Sequence, residues 1–286
     1  MLDTETLARS LPERPRTRFA PSPTGWLHLG HVANAVWVWG LARALGGTVV
    51  LRMEDHDRGR SSPAYERGIL DDLEWLGLEP DEDAGRQSDA DPRYVGALAR
   101  LTDAGLVYGC RCSRRDIAEL VPGVADRETP YPGTCRDRGF APGPGVGVRL
   151  RLAPGTERFD DLVLGAQEQA PAIQCGDLLL RDRLGNWTYQ FAVVADDIAQ
   201  RIDLVVRGED LLASTGRQIR LARMLGRADA PAFAHHPLIL KPSGEKLSKA
   251  SGDTGVRELR AGGATAPDVL REGARRSGLP RELWPE

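Results

Sequence analysis

The period of apolar positions changes several times along the chain, and each change marks an element. From His31 to Leu45, Val32, Ala35, Val36, Trp39 and Ala42 recur at helical spacing until Gly46-Gly47 stops the run. The β-branched, apolar stretch Thr48–Met53 predicts a buried strand, as does the shorter Thr17–Ala20 ahead of a Pro/Gly turn. Pro63 opens a helix reaching Trp75, with Ile69, Leu70, Leu73 and Leu76 on one face. Pro92–Ala104 predicts a further helix, followed by a strand over Leu106–Gly109. This alternation predicts an α/β fold with a doubly wound, Rossmann-like parallel sheet, its first half spanning 17–109.

The pattern then breaks. Cys110–Arg138 is irregular and charged, 139–147 is rich in Gly and Pro, and Val148–Leu152, Arg158–Leu164 and Asp177–Arg181 read as short antiparallel strands. An insertion is therefore expected over 110–180. Alternation resumes with Tyr189–Gln200, Asp203–Arg207, Ser214–Leu225 and Pro237–Leu240, which makes 181–250 the second half of the α/β domain. Residues 1–16 read as a loose leader, and 251–286 as a tail with room for two short helices.

Composition narrows the function. With 41% hydrophobic and 28% charged residues the chain is globular, and a net charge of −3 gives no bulk attraction to nucleic acid. Any RNA contact must come from a local patch. No charged-then-apolar leader and no apolar run of membrane-spanning length occur, so a cytoplasmic protein without membrane contact is expected. Of 38 basic residues only Lys241, Lys246 and Lys249 are lysine, and all three fall in one short segment. Lysine is a compact, flexible point charge, which a phosphate-reaching loop can require where arginine's rigid fork would not serve.

Two segments carry chemistry. Pro21-Ser22-Pro23-Thr24-Gly25-Trp26-Leu27-His28-Leu29-Gly30-His31 places two imidazoles three residues apart at a helix start. Backbone N–H groups and the positive end of the dipole meet a phosphate there. Ser22 and Thr24 add hydroxyls, and Gly25 and Gly30 let the backbone approach closely. Taken alone, the histidine pair could equally be a capping arrangement or half of a metal site. The second segment is Lys246-Leu247-Ser248-Lys249-Ala250.

Together with Arg18-Phe19-Ala20 ahead of the turn, these segments resemble class I aminoacyl-tRNA synthetases of the glutamyl branch over roughly residues 17–250. The second departs from the usual Lys-Met-Ser-Lys-Ser at Leu247 and Ala250 but keeps both lysines. The resemblance implies a class I catalytic domain that binds ATP with Mg²⁺ through Pro21, Ser22, Thr24, Gly25, His28, Gly30, His31, Lys246, Ser248 and Lys249. His28, His31, Lys246 and Lys249 would stabilise charge while a substrate carboxylate attacks the α-phosphate. It assigns L-glutamate contacts to Arg18, Phe19, Ala20, Pro21, Ser22, Glu54, Tyr189 and Arg207. A zwitterion needs cations for its carboxylates and an anion for its ammonium; Arg18, Glu54 and Arg207, at the ends of predicted parallel strands, can meet in one crevice.

Cys110-x-Cys112 with Cys135 supplies three thiolates of a zinc site, which Tyr131, Asp116, Asp137 or water could complete. Short glutamyl-synthetase paralogues carry this Cys-x-Cys and Tyr-x-x-x-Cys pattern, which implies a structural Zn²⁺ on Cys110, Cys112, Tyr131 and Cys135. The position of the lysine loop and the stretch Asp210–Thr215 also resemble these paralogues. Only 251–286 follow the loop, too few residues for an anticodon-binding domain. The expected reaction is therefore tRNA-independent formation of glutamyl-adenylate. Transfer to queuosine in the anticodon stem-loop of tRNA(Asp) would follow, by a monomer. The alternatives are a ligase using the same adenylate on a small amine or another acceptor, and a non-catalytic glutamate- or tRNA-binding paralogue.

Overall fold

A computed structural model describes residues 11–57, 59–121, 129–141, 143–240 and 255–284. The chain runs β1 (Arg16–Phe19), α1 (Leu29–Ala44), β2 (Thr48–Met53), α2 (Pro63–Leu76), β3 (Glu82–Arg86), α3 (Asp91–Asp103), β4 (Val107–Cys110) and α4 (Arg114–Leu120). It continues through β5 (Gly147–Leu150), β6 (Glu157–Asp161), β7 (Gly165–Gln169), α5 (Pro171–Gln174), β8 (Leu178–Arg181) and α6 (Tyr189–Ala199). Last come β9 (Leu204–Gly208), α7 (Thr215–Met224), β10 (Ala232–His236), α8 (Val256–Ala261) and α9 (Ala266–Arg276).

Strands β1, β2 and β3 pair in parallel, as do β9, β10 and β6, with β7 antiparallel on the outer edge of β6. The Asp203 amide donates to the Arg16 carbonyl at 2.8 Å, and β1 lies alongside β9. The strands therefore follow the spatial order β3, β2, β1, β9, β10, β6, β7. The chain leaves β1 toward β2 on one side and returns as β9 on the other, which opens a crevice at the carboxyl ends of β1 and β9.

Helix α1 is buried on almost every face, from Val32 to Ala42, because it lies between this sheet and α9. Trp37 Nε1 donates to Ser277 Oγ at 3.0 Å across that contact, and neither side chain reaches solvent. The tail is thus part of the main core. Val256 N–H also donates to Leu27 O at 2.9 Å, and Gly255 bridges His28, so the tail's first residues brace the start of α1. Among the described residues no helix is long and apolar enough to cross a membrane.

Several expectations need correction. The strand expected over Leu106–Gly109 is β4, but it pairs antiparallel with β5, and β5 with β8, in a separate three-stranded sheet. Four apolar residues carry no signal of their partner's direction. The strand expected over Arg158–Leu164 is β6, which joins the large sheet beside β10 rather than the antiparallel one. The last strand lies at Ala232–His236 and not at Pro237–Leu240, since Pro237 has no N–H to continue the ladder. Leu70 is 42% exposed, off the buried line of Ile69, Leu73 and Leu76. The polar edge strand β3 and the short helix α4 had no apolar period to betray them.

Removing the Ser277 hydroxyl leaves the Trp37 indole N–H buried without a partner. Ser277→Ala is expected to lower unfolding free energy by about 1–3 kcal/mol in chemical denaturation. An unchanged midpoint would show that the tail does not depend on this bond.

Candidate active site

A cleft of about 510 Å³ opens at the carboxyl ends of β1, β2, β9 and β10. Of the residues singled out by sequence, Arg18, Ala20, Ser22, His28, Gly30, His31, Glu54, Tyr189 and Arg207 line it. Four do not. Phe19 points into the core against Trp39, with ring centroids 5.4 Å apart, and the Pro21 carbonyl accepts the Glu54 N–H at 3.0 Å. Thr24 and Gly25 shape the turn behind the wall, where Thr24 N–H closes on Ser22 O at 2.9 Å. Lys246, Ser248 and Lys249 lie outside the described residues. The segments on either side of them, at Ile239 and Gly255, adjoin the cleft and His28 respectively.

The two histidines at the head of α1 cap it reciprocally. His28 Nδ1 accepts the Gly30 N–H at 3.1 Å, and His31 Nδ1 accepts the His28 N–H at 3.1 Å. An Nδ1 that accepts cannot carry the proton, so both rings hold theirs on Nε2. Capping is therefore compatible with anion binding: the backbone bonds fix the tautomers that make each imidazole an N–H donor. A Cβ at Gly30 would sit 2.9 Å from His28 Cε1, so a side chain there would displace the capping ring.

Behind the floor of the cleft lies a buried charge network. Arg52 donates to Asp197 Oδ1 at 2.8 Å and to Glu54 Oε1 at 2.9 Å, with Asp196 Oδ2 3.8 Å away. Burial opposes the Arg52 charge, but Asp197, Glu54 and Asp196 outweigh it and hold the group above its ordinary value. Arg18 also bonds Asp197, at 3.2 Å, and reaches the Val206 carbonyl. Burial would raise Asp197, yet Arg18 and Arg52 hold it below the usual carboxylate range.

Arg207 differs. Its guanidinium donates to His235 Nε2 at 3.0 Å, Gln218 Oε1 at 2.7 Å and Thr215 Oγ1 at 2.8 Å. Among the described residues none of its hydrogen bonds goes to a carboxylate, and burial pushes its affinity for the proton below the ordinary value. Arginine remains charged regardless. A buried cation with neutral partners is costly by several kcal/mol until an anion meets it.

The structure also gathers Cys110, Cys112 and Cys135, whose sulfurs lie within 4.8 Å of one another. The Cys112 and Cys135 sulfurs are 3.6 Å apart, and the Tyr131 hydroxyl lies 3.4 Å from Cys110 Sγ and 3.9 Å from Cys112 Sγ. Tetrahedral zinc with bonds of about 2.3 Å separates its sulfurs by about 3.8 Å, so the donor set fits that ion. Asp116 instead caps α4 through the Ser113 amide, and Asp137 faces Arg151 in solvent. Arg149 stacks 3.7 Å from the Tyr131 ring centre and donates to Cys110 Sγ at 3.3 Å, a cation beside the would-be anionic ligands. Gly176, at φ +66°, presses on the Tyr131 backbone so closely that a Cβ would lie 2.1 Å from its carbonyl oxygen.

Sequence reasoning missed the supports of this site. His235 and His236 follow the end of β10's apolar run, and Asn34 lies on α1; Asp161, Thr215 and Gln218 back Arg207 through bonds between distant residues. One signal was available: the chain has only five histidines, and His28, His31, His56 and His236 line the cleft while His235 holds Arg207. His235 Nε2 accepts from Arg207, so Nδ1 carries the proton and donates to Asp161 Oδ2 at 2.6 Å.

Burial pushes His235 below its ordinary value. Burial alone would raise Asp161, but the His235 bond and the Leu164 and Val163 amides bring it below the usual range. Both groups then bind fewer protons folded than unfolded, so their stabilisation is complete above the unfolded histidine value of about 6.5 and is lost as pH falls. Denaturation midpoints are expected to drop between pH 7 and 5, and less steeply in His235→Gln. Equal slopes would contradict a neutral His235.

Residues 15–283 match the family described as tRNA synthetases class I (E and Q), catalytic domain. A glutamyl-Q tRNA(Asp) synthetase of Burkholderia cenocepacia is 46% identical over 246 residues, covering 84% of this chain and 82% of the relative. Its counterpart from Rhodobacter capsulatus is 42% identical over 275 residues, 89% of this chain and 98% of the relative. Among solved structures, glutamate-tRNA synthetase of Elizabethkingia anophelis superposes with a TM-score of 0.73 at 29% identity, over 86% of this chain. This chain spans 58% of that longer one. A glutamate tRNA ligase of Elizabethkingia meningosepticum, solved in complex with its amino acid, gives the same TM-score of 0.73. The parallel sheet, the histidine-capped helix and these likenesses agree: the chain belongs to the class I glutamyl/glutaminyl tRNA synthetase family, among its glutamyl-Q tRNA(Asp) synthetases.

Proposed function

We propose that the protein uses ATP to convert L-glutamate to glutamyl-adenylate without tRNA, then transfers the glutamyl group to queuosine of tRNA(Asp). The observation that carries this reading is Arg207, a buried cleft cation whose hydrogen-bond partners among the described residues are all neutral. A substrate with a side-chain carboxylate supplies its counter-charge, and a bidentate guanidinium–carboxylate pair disfavours glutamine. Arg18, although tied to Asp197, lines the same cleft and would share the recognition of carboxylates. Glu54 commits one oxygen to Arg52 and faces the cleft, where it would receive the ammonium; Tyr189 closes the wall beside Arg207.

In the activation step a glutamate carboxylate oxygen bonds to the α-phosphorus and pyrophosphate leaves. The Nε2–H groups of His28 and His31 and the backbone around Ser22 and Gly30 would hold the phosphates, with Lys246, Ser248 and Lys249 adding charge and a hydroxyl. Mg²⁺ bound with ATP supplies further neutralisation of the departing pyrophosphate. The catalytic unit in this reading is a monomer. The Cys110, Cys112, Tyr131 and Cys135 cluster would hold a structural Zn²⁺ that pins the antiparallel β4–β5–β8 region, the side of the fold we assign to grip the anticodon stem-loop.

Glutamate-dependent ATP–pyrophosphate exchange without tRNA is the test, followed by transfer of labelled glutamate to tRNA(Asp) carrying queuosine. Exchange is expected with glutamate and not with glutamine, and Arg207→Gln is expected to lower its kcat/KM at least about 100-fold. No exchange would sink the reading; exchange without transfer would favour a small-molecule ligase. Metal analysis of tag-free protein is expected to return about one zinc per chain, reduced in Cys112→Ser. Zinc-free wild-type protein of full thermal stability would remove the metal from the account.

A further inference from the structure

A second cleft, of about 410 Å³, lies beside the first, and His56 is in the wall of both. Gln87, Asp91, Arg181, Leu184 and Trp187 also line it. Trp187 Nε1 donates to Asp91 Oδ1 at 2.7 Å, and the Arg181 guanidinium lies 5.0 Å from the indole centre. Leu184 is 88% exposed, at the tip of a turn held by Asp182, whose Oδ1 accepts the Leu184 and Asn186 amides. Trp187 itself is buried, and an exposed leucine beside the guanidinium plane it backs is a surface on which an unstacked nucleobase can lie.

A chain of hydrogen bonds sets the tautomer of His56. The Asp196 carboxylate accepts from Gln87 Nε2 at 2.8 Å, which turns Gln87 Oε1 to His56 Nδ1 at 2.7 Å. An amide oxygen can only accept, so Nδ1 carries the proton and Nε2 the lone pair. Arg93 donates to Asp196 Oδ1 and the Tyr94 hydroxyl to the same Oδ2 as Gln87, and a Gln87 amide turned over would aim its oxygen at that carboxylate and lose the bond. Among the described residues His56 Nε2 has no hydrogen-bond partner. His28 and His31 are built the opposite way, with Nδ1 accepting.

We propose that the second cleft seats the hydroxyl-bearing acceptor nucleobase and that His56 Nε2 takes the proton from its attacking hydroxyl. This rests on the adenylate-and-transfer reading above. In the step, the hydroxyl oxygen bonds to the glutamyl carbonyl carbon. The bond from that carbon to the phosphate oxygen breaks, and AMP leaves with the electron pair. The hydroxyl proton passes to Nε2 and from there to solvent. Membership of both walls puts the base between the activated carbonyl and the acceptor.

The test compares single-turnover transfer from enzyme-bound glutamyl-adenylate to queuosine-containing tRNA(Asp) with glutamate-dependent exchange. In His56→Ala the ratio of transfer to exchange is expected to fall about 100-fold, the scale of a general base. Added imidazole is expected to restore part of the lost transfer in that variant and to leave the wild type unaffected. A ratio equal to wild type, or a loss that does not respond to imidazole, overturns the role of His56. Leu184→Asp is expected to raise the tRNA concentration for half-maximal transfer about tenfold, and an unchanged value overturns the seat. A wild-type protein without exchange overturns the adenylate reading, an outcome distinct from active wild type with indifferent variants.

Discussion

Three carboxylates converge on the buried guanidinium of Arg52, and the rest of the site is arranged around that convergence. Arg52 comes from β2, Asp196 and Asp197 from α6, so the network ties the first half of the sheet to the helix that crosses back over it. Asp197 passes the constraint to Arg18, Glu54 is held with one oxygen occupied, and Asp196 passes it through Gln87 to His56. Each ion costs several kcal/mol to desolvate alone, and close pairing offsets that cost. The network is therefore rigid, because moving one member strands another. It is also the reason the sequence can keep so many ionisable side chains beneath one cleft.

Arg207 feels Asp197 at a distance, but among the described residues it bonds to none of these carboxylates. Asp161 reaches it only through a neutral imidazole, which orients the guanidinium without cancelling its charge. The site thus holds two kinds of arginine. One is neutralised and structural, while the other is positioned and left positive, aimed at whatever anion enters. A uniform positive cleft would bind anions broadly. A single oriented guanidinium beside a carboxylate selects a ligand with charges in a fixed arrangement.

Much of this was legible in the chain. The first helix and the strands β1, β2 and β9 followed from apolar pattern, the tail was read only as having room for two short helices, and parallel strand ends put Arg18, Glu54 and Arg207 together from sequence alone. The cysteine spacing likewise fell into one cluster. The failures have a common cause. Strand direction for β4 and β6, and the partners of Arg207 and His56, depend on residues that lie in other elements, and local pattern is silent about them. The histidine pair shows a subtler limit: capping and anion binding were weighed as rivals, whereas the bonds that cap the helix also set the tautomers suited to an anion.

The central claim is that Arg207, an oriented cleft cation with no carboxylate hydrogen-bonded to it among the described residues, selects a carboxylate side chain. Calorimetric titration of the wild-type protein with L-glutamate and with L-glutamine, in the absence of ATP and tRNA, tests it most directly. The account predicts that glutamate binds at least about 100-fold more tightly than glutamine, since only glutamate supplies the missing charge. Equal affinity for the two amino acids would contradict it.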